Sequence, residues 1–272
     1  MKKVRGPCSS EEPKDEEGRQ YHISVAPGEL SQYILLCGDP ARAERVKNLF
    51  EKVNYERRHR EYVTFTGVYH GLPISVMSTG IGCDNTEIAV IEASHCIKDP
   101  TFVRIGSCGA IPARIKLGDL VITTEALRRE STSDSYLPKN IRVHSSKEVR
   151  NALIEAAKEL GCRYHVGKTC TTSSFYGDQG REIKGFPTRN KDLVRRMRKK
   201  GVLNFEMESS TLFALAKVST YKIRVGAVCA VYANRESKSF ISAKEMKDAE
   251  MRCILTGLKA IEKLYKADKT GF

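Results

Sequence analysis

The chain has 272 residues, enough for one large α/β domain whose core needs no disulfide or metal to hold it. With 40% hydrophobic and 29% charged residues, no apolar run near the roughly 20 residues that span a bilayer, and no apolar segment after Met1 to Arg5, a soluble, unexported protein with a cytoplasmic location is expected. The net charge of +13 points to anionic partners, and nine scattered cysteines with no CxxC pair read as reduced, buried thiols without structural zinc.

Residues 1–20 are charged and almost free of apolar side chains, so a disordered arm is expected there, with a single domain over 21–272. His22 stands at that edge with no local partner in sequence. The apolar run Tyr33 to Cys37 stops at Gly38-Asp39-Pro40, and a helical period follows from Ala41 to Phe50. Such a strand exit is either an ordinary turn or an anion site made by backbone N–H groups, a helix start and Arg42. Arg57 to Arg60 reads as solvated surface or as a second anion-binding arm. Val63 to Val68 and Ile74 to Ser78 form a hairpin about His70 to Pro73, and a second Gly-rich exit, Ser78 to Asn85, precedes an apolar helix from Ile88 to Ile97.

A third strand, Phe102 to Gly109, holds Arg104 inside an apolar run, a costly position unless a carboxylate or oxyanion faces it. Another strand is expected at Gly118 to Thr124 and a helix at Lys147 to Leu160. Ser173 to Arg181 then places Phe175, Tyr176, Gln179 and Arg181 on a loop loosened by Gly177 and Gly180. Two aromatic faces, a carboxamide and a guanidinium suit a flat heterocycle with an imide edge, such as uracil, and turn-rich loops of this kind are also common without a ligand. A basic helix is expected at Lys191 to Lys200. Glu206-Met207-Glu208 then opens an apolar helix to about Val218, either as a carboxylate pair for a vicinal diol or as first-turn acids. A last strand, Ile223 to Ala233, ends at Asn234-Arg235, and a helix from Ala243 to Tyr265 closes the chain. Alternating buried strands and helices predict an α/β fold with a central, mostly parallel or mixed β-sheet flanked by helices. Its candidate groups cluster at strand exits.

Seven blocks, Gly38 to Arg42, His59 to Tyr62, Ser78 to Gly82, Arg104 to Ile111, Phe175 to Arg181, Phe205 to Ser209 and Asn234-Arg235, resemble in order and spacing the nucleoside phosphorylase-I family, over roughly residue 21 to the C-terminus. Within it, the base-edge loop is similar to that of uridine-cleaving members. The resemblance implies reversible phosphorolysis of uridine, with deoxyuridine or thymidine as further candidates, to uracil and ribose 1-phosphate, using inorganic phosphate as co-substrate and no cofactor. It assigns phosphate to Gly38, Arg42, Arg104, Ser107 and a neighbouring subunit's Arg60. Ribose falls to Met207, Glu208 and the neighbour's His22, and the base to Phe175, Gly109, Gln179, Arg181 and Arg235. A potassium-type cation is implied at Glu61, Ile81 and Asn85, with Asn85 in place of the serine of relatives. A homo-oligomer follows, a dimer or a hexamer of dimers, with no membrane or nucleic-acid partner. Ser107-Cys108 stands where relatives often have two threonines, and Tyr232-Ala233 where an aliphatic pair often precedes Asn-Arg, so the resemblance implies a different wall near the uracil 5-position. The remaining alternatives are a purine nucleoside phosphorylase of the same fold and a non-catalytic nucleoside- or RNA-binding protein.

Overall fold

A computed structural model describes residues 9–270. Apolar runs bounded by turn residues become strands, and helical periods become helices. The first half of the chain gives β1 (Tyr33–Cys37), α1 (Pro40–Lys47), β2 (Lys52–His59), β3 (Tyr62–Tyr69), β4 (Leu72–Ser78), α2 (Cys83–Cys96) and β5 (Thr101–Ala110). The second half adds β6 (Leu120–Arg129), β7 (Val143–His144), α3 (Lys147–Glu159), β8 (Tyr164–Thr172), α4 (Leu193–Lys199), β9 (Val202–Glu206), α5 (Ser209–Val218), β10 (Arg224–Asn234), β11 (Ser239–Phe240) and α6 (Ala243–Thr270).

One mixed sheet in the order β11-β10-β6-β8-β9-β5-β1-β4-β3-β2 carries the fold, with β7 on β6. β5 is its branch point: its first half lies between β1 and β10, both parallel to it, and its last residues pair with β9 instead of β1. Because β10 also pairs with β6, the strands β10, β6, β8, β9 and β5 close into a ring, and β1, β4, β3 and β2 extend from it.

Side chains alternate across this sheet, as strand pleating requires. Leu35, Val103, Ile105 and Val228 meet α1, α3 and α6 on one face. Ile34, Leu36, Phe102 and Ala227 meet α2 and α5 on the other. Burial on both faces explains the unbroken apolar runs of β1 and β10. No helix among the described residues is long and apolar enough to cross a membrane. The eight described cysteines are buried and unpaired.

The differences from the sequence reading have local causes. β2, with mostly exposed residues, has no apolar alternation to reveal it; pairing with β3 makes it a charged edge strand. β8 carries polar Thr and Lys positions that masked its strand character, and β9 runs into Glu206, so α5 starts only at Ser209. Residues 1–8 of the expected arm lie outside the described residues. Within 9–20, Lys14 and Gln20 form an antiparallel bridge, Gln20 is buried, and Arg19 Nη1 donates to Glu29 at 2.6 Å.

Candidate active site

Three strand exits meet at one cavity of about 690 Å³. β1 leaves at Gly38 and β4 at Thr79-Gly80, and a Cβ on Gly38 would lie 3.1 Å from the Gly80 carbonyl oxygen. Gly80 itself has φ of 72°, a left-handed conformation suited to glycine. Asp39 caps α1 by accepting from the Ala41 N–H at 2.9 Å, and Pro40 takes the first helical position. That start brings Arg42 to the cavity wall, where its Nε donates to Glu250 Oε1 at 2.5 Å and its Nη1 to the Ile105 carbonyl at 3.1 Å. Burial works against the Arg42 charge, yet its pKa is raised, with the Glu250 carboxylate favouring the charged form. The Cys37 thiol beside it is neutral, pushed up to about 12 by burial.

Arg104, on β5, is the buried charge that sequence marked as needing a partner, and it has two. Its Nη2 donates to Glu208 Oε2 and its Nε to Glu206 Oε2 at 3.3 Å. Burial opposes the Arg104 charge, but Glu208 and Glu206 prevail and raise its pKa; burial likewise pushes the Glu208 carboxyl up against the pull of Arg104. The two acids differ in what else they hold. Glu206 accepts from Thr171 Oγ1 at 2.5 Å, from the Glu208 N–H at 3.0 Å, and from the Ser209 N–H and Oγ at 2.9 and 2.8 Å, which fixes the β9–α5 junction. Glu208 accepts from the Gly82 N–H at 2.8 Å and lines the cavity beside Met207. Ser107 and Gly109 line the same wall from β5.

At the other end, the loop after β8 is held from several sides. Arg129 Nη2 donates to Asp178 at 2.6 Å, Thr188 Oγ1 donates to the Gly177 carbonyl at 2.5 Å, and a Cβ on Gly180 would stand 2.4 Å from the Asn190 carbonyl oxygen. Gln179 is buried, its Nε2 donating to Thr172 Oγ1 at 3.1 Å. Arg181 donates from Nε to the Phe175 carbonyl at 2.9 Å and from Nη2 to Gln179 Oε1 at 3.3 Å, with its Cζ 3.9 Å from the Phe175 ring centroid. Arg235 stands behind the loop rather than in the cavity and donates from Nη1 to the Gln179 backbone carbonyl at 3.1 Å. Burial lowers the Arg181 pKa, and burial with the nearby Arg181 charge brings Arg235 down to about 10. Among the described residues, neither guanidinium has a carboxylate partner.

The two ends therefore differ in charge. Where the strand exits meet, Arg42, Arg45 and Arg104 face Asp39, Glu206, Glu208 and Glu250. The loop after β8 keeps Arg181 and, behind it, Arg235 without a carboxylate partner among the described residues. Glu250 was missed by sequence reading, although an acid on the apolar stripe of Ala249, Cys253 and Ile254 was a usable signal. Phe240, 64% exposed at the cavity rim, had no such signal.

Two expected residues lie elsewhere. His22 Nδ1 sits 2.6 Å from Glu92 Oε1, and Arg60 is exposed with its Cζ 5.7 Å from the Tyr21 ring; neither lines the cavity. They share one surface patch, since His59 Nδ1 lies 2.9 Å from the His22 carbonyl. Glu61, Ile81 and Asn85 do line the cavity, and Asn85 Nδ2 donates to Glu61 Oε1 at 2.8 Å.

A ring-closed mixed sheet, a paired-arginine pocket and a cationic loop after β8 coincide with a family match: residues 32–262 fit the model of the phosphorylase superfamily, and the chain belongs to it. A uridine phosphorylase of Thermococcus kodakarensis is 47% identical over 243 residues, covering 89% of this chain and 87% of that protein. One from Escherichia coli K12 is 32% identical over 253 residues, covering 90% and 97%. The crystal structure of uridine phosphorylase from Vibrio fischeri ES114 superposes with a TM-score of 0.80 at 29% identity, covering 90% of this chain and 98% of that one.

Proposed function

We propose that the chain catalyses phosphorolysis of uridine: a phosphate oxygen bonds to C1′, the C1′–N1 bond breaks with its electron pair leaving on the base, and the base takes up the proton that hydrogen phosphate gives up, directly or through water, giving ribose 1-phosphate and uracil. The observation that carries this reading is the unneutralised Arg181, beside Gln179 at the loop end of the cavity. Uracil leaves as a developing anion, and a preoriented cation at its carbonyl edge stabilises the transition state more than the neutral substrate. Phosphate is a weak nucleophile, so alignment matters. Arg42, Arg104, Ser107 and the Gly38 turn would hold it under C1′, while Glu208 and Met207 hold the ribose.

The arginines of that pocket are already matched by acids, so a dianion needs a further cation. Arg60 of a second copy supplies it, and His22 of that copy reaches the ribose; this supports a homo-oligomer with shared sites. A monovalent cation does not fit Glu61, Ile81 and Asn85 well, because Asn85 turns an N–H donor onto the carboxylate oxygen that would ligate it; no step is routed through one. Uracil release from uridine with and without phosphate, alongside inosine, tests the proposal. Phosphate-dependent release from uridine alone is expected. Preferential turnover of inosine would overturn the base assignment, and turnover of neither would leave a binding protein.

A further inference from the structure

β10 carries one residue more than β5 can pair. Val231 lies opposite Cys108 and Ala233 opposite Gly109, so Tyr232 between them is a β-bulge. Bulges beside ligand sites re-aim a side chain. The Tyr232 carbonyl accepts from the Ile241 N–H at 2.8 Å, which anchors the bulged backbone. Its ring packs on the core that α1 and α6 share, yet lines the same cavity as Arg42 and Arg104.

We propose that the Tyr232 hydroxyl completes the anion subsite of the cavity that Arg42 and Arg104 also line, donating its proton to a phosphate oxygen; the assignment of phosphate rests on the phosphorolytic reading above. Burial pushes the phenol up to about 12 against the pull of the Arg42 charge, so it remains a donor wherever phosphate is a dianion. With the further cation supplied by Arg60 of a second copy, a neutral donor can complement it. Arg42 already has Glu250 opposite it, and a hydroxyl adds an interaction with the anion without adding another buried charge to balance.

The test is Tyr232→Phe, with Tyr232→Met as a second variant that also lacks the hydroxyl. KM for phosphate should rise about tenfold in both, as for loss of a hydrogen bond to a charged group, while KM for uridine at saturating phosphate stays within about twofold. Phosphate alone should also raise the melting temperature of the unmodified protein more than that of either variant. An unchanged phosphate KM, or an equal rise in both KM values, would overturn the assignment. If the unmodified protein releases no uracil but its phosphate-induced thermal shift disappears in Tyr232→Phe, the phosphorolysis reading fails and the anion subsite stands.

Discussion

Arg181→Ala separates binding from chemistry. Of the five guanidinium N–H groups, one goes from Nε to Phe175 and one from Nη2 to Gln179, which leaves three for a ligand. These contacts and the Phe175 ring beneath hold the group in place before substrate arrives, so little reorganisation is needed as charge reaches the base. Removing one preoriented donor from such a position costs about 10²–10³ in kcat. The expected result is therefore a kcat lower by about two to three orders of magnitude, with uridine KM within a few-fold, in initial rates of uracil release at saturating phosphate. Arg181→Lys restores the charge but not the planar fork, and should recover about tenfold of the loss. If kcat is retained while KM for uridine rises, Arg181 binds substrate and transition state alike, and the argument from developing charge is wrong.

Glu250→Gln leaves Arg42 and Arg45 without their shared carboxylate, so denaturant titration should show a loss of about 3 kcal/mol, while KM for phosphate falls as Arg42 is released. Raised phosphate KM at unchanged stability would contradict the charge balance described for that pocket. Arg60→Ala and Arg181→Ala chains should each be weak alone, and random hybrids formed after joint refolding should regain about a quarter of full activity, because half the dimers then hold one whole site. No recovery would place Arg60 outside a shared site. Glu29 is held down to about 2, its burial outweighed by bonds from Arg57 and Arg19. Its stabilisation is thus present above the ordinary 4.5 and lost as pH falls toward 2, and Glu29→Gln should flatten acid unfolding over that window. An unaltered acid profile would show that the Arg19 and Arg57 contacts contribute nothing.

What the sequence made legible was chemistry tied to a local anomaly. Arg104 stood out because a guanidinium in an apolar strand demands partners, and Glu208 and Glu206 are those partners. Glycines at the strand exits marked where the cavity would open. Arg235 was placed near the base loop, but only the fold shows that it acts on the Gln179 backbone from outside the cavity. Glu206 looked like the twin of Glu208; its four bonds to Thr171, Glu208 and Ser209 make it a structural anchor, a distinction set by tertiary neighbours. β2 and β8 were hidden because their strand character comes from pairing rather than from apolar alternation.

The branch at β5 has a kinetic consequence. Thr101 pairs with Arg224 and Gly109 with Phe205, so the walls of the cavity are joined across much of the chain, and the ring closes only when its last strand arrives. Pairings so distant in sequence form slowly, after loop closure has been overcome. On a ribosome, Arg42 and Arg104 would emerge long before β10, and no ligand could select a half-made site. Ligand binding is then a late event in folding, and a growing chain depends on its apolar strands alone until β10 docks.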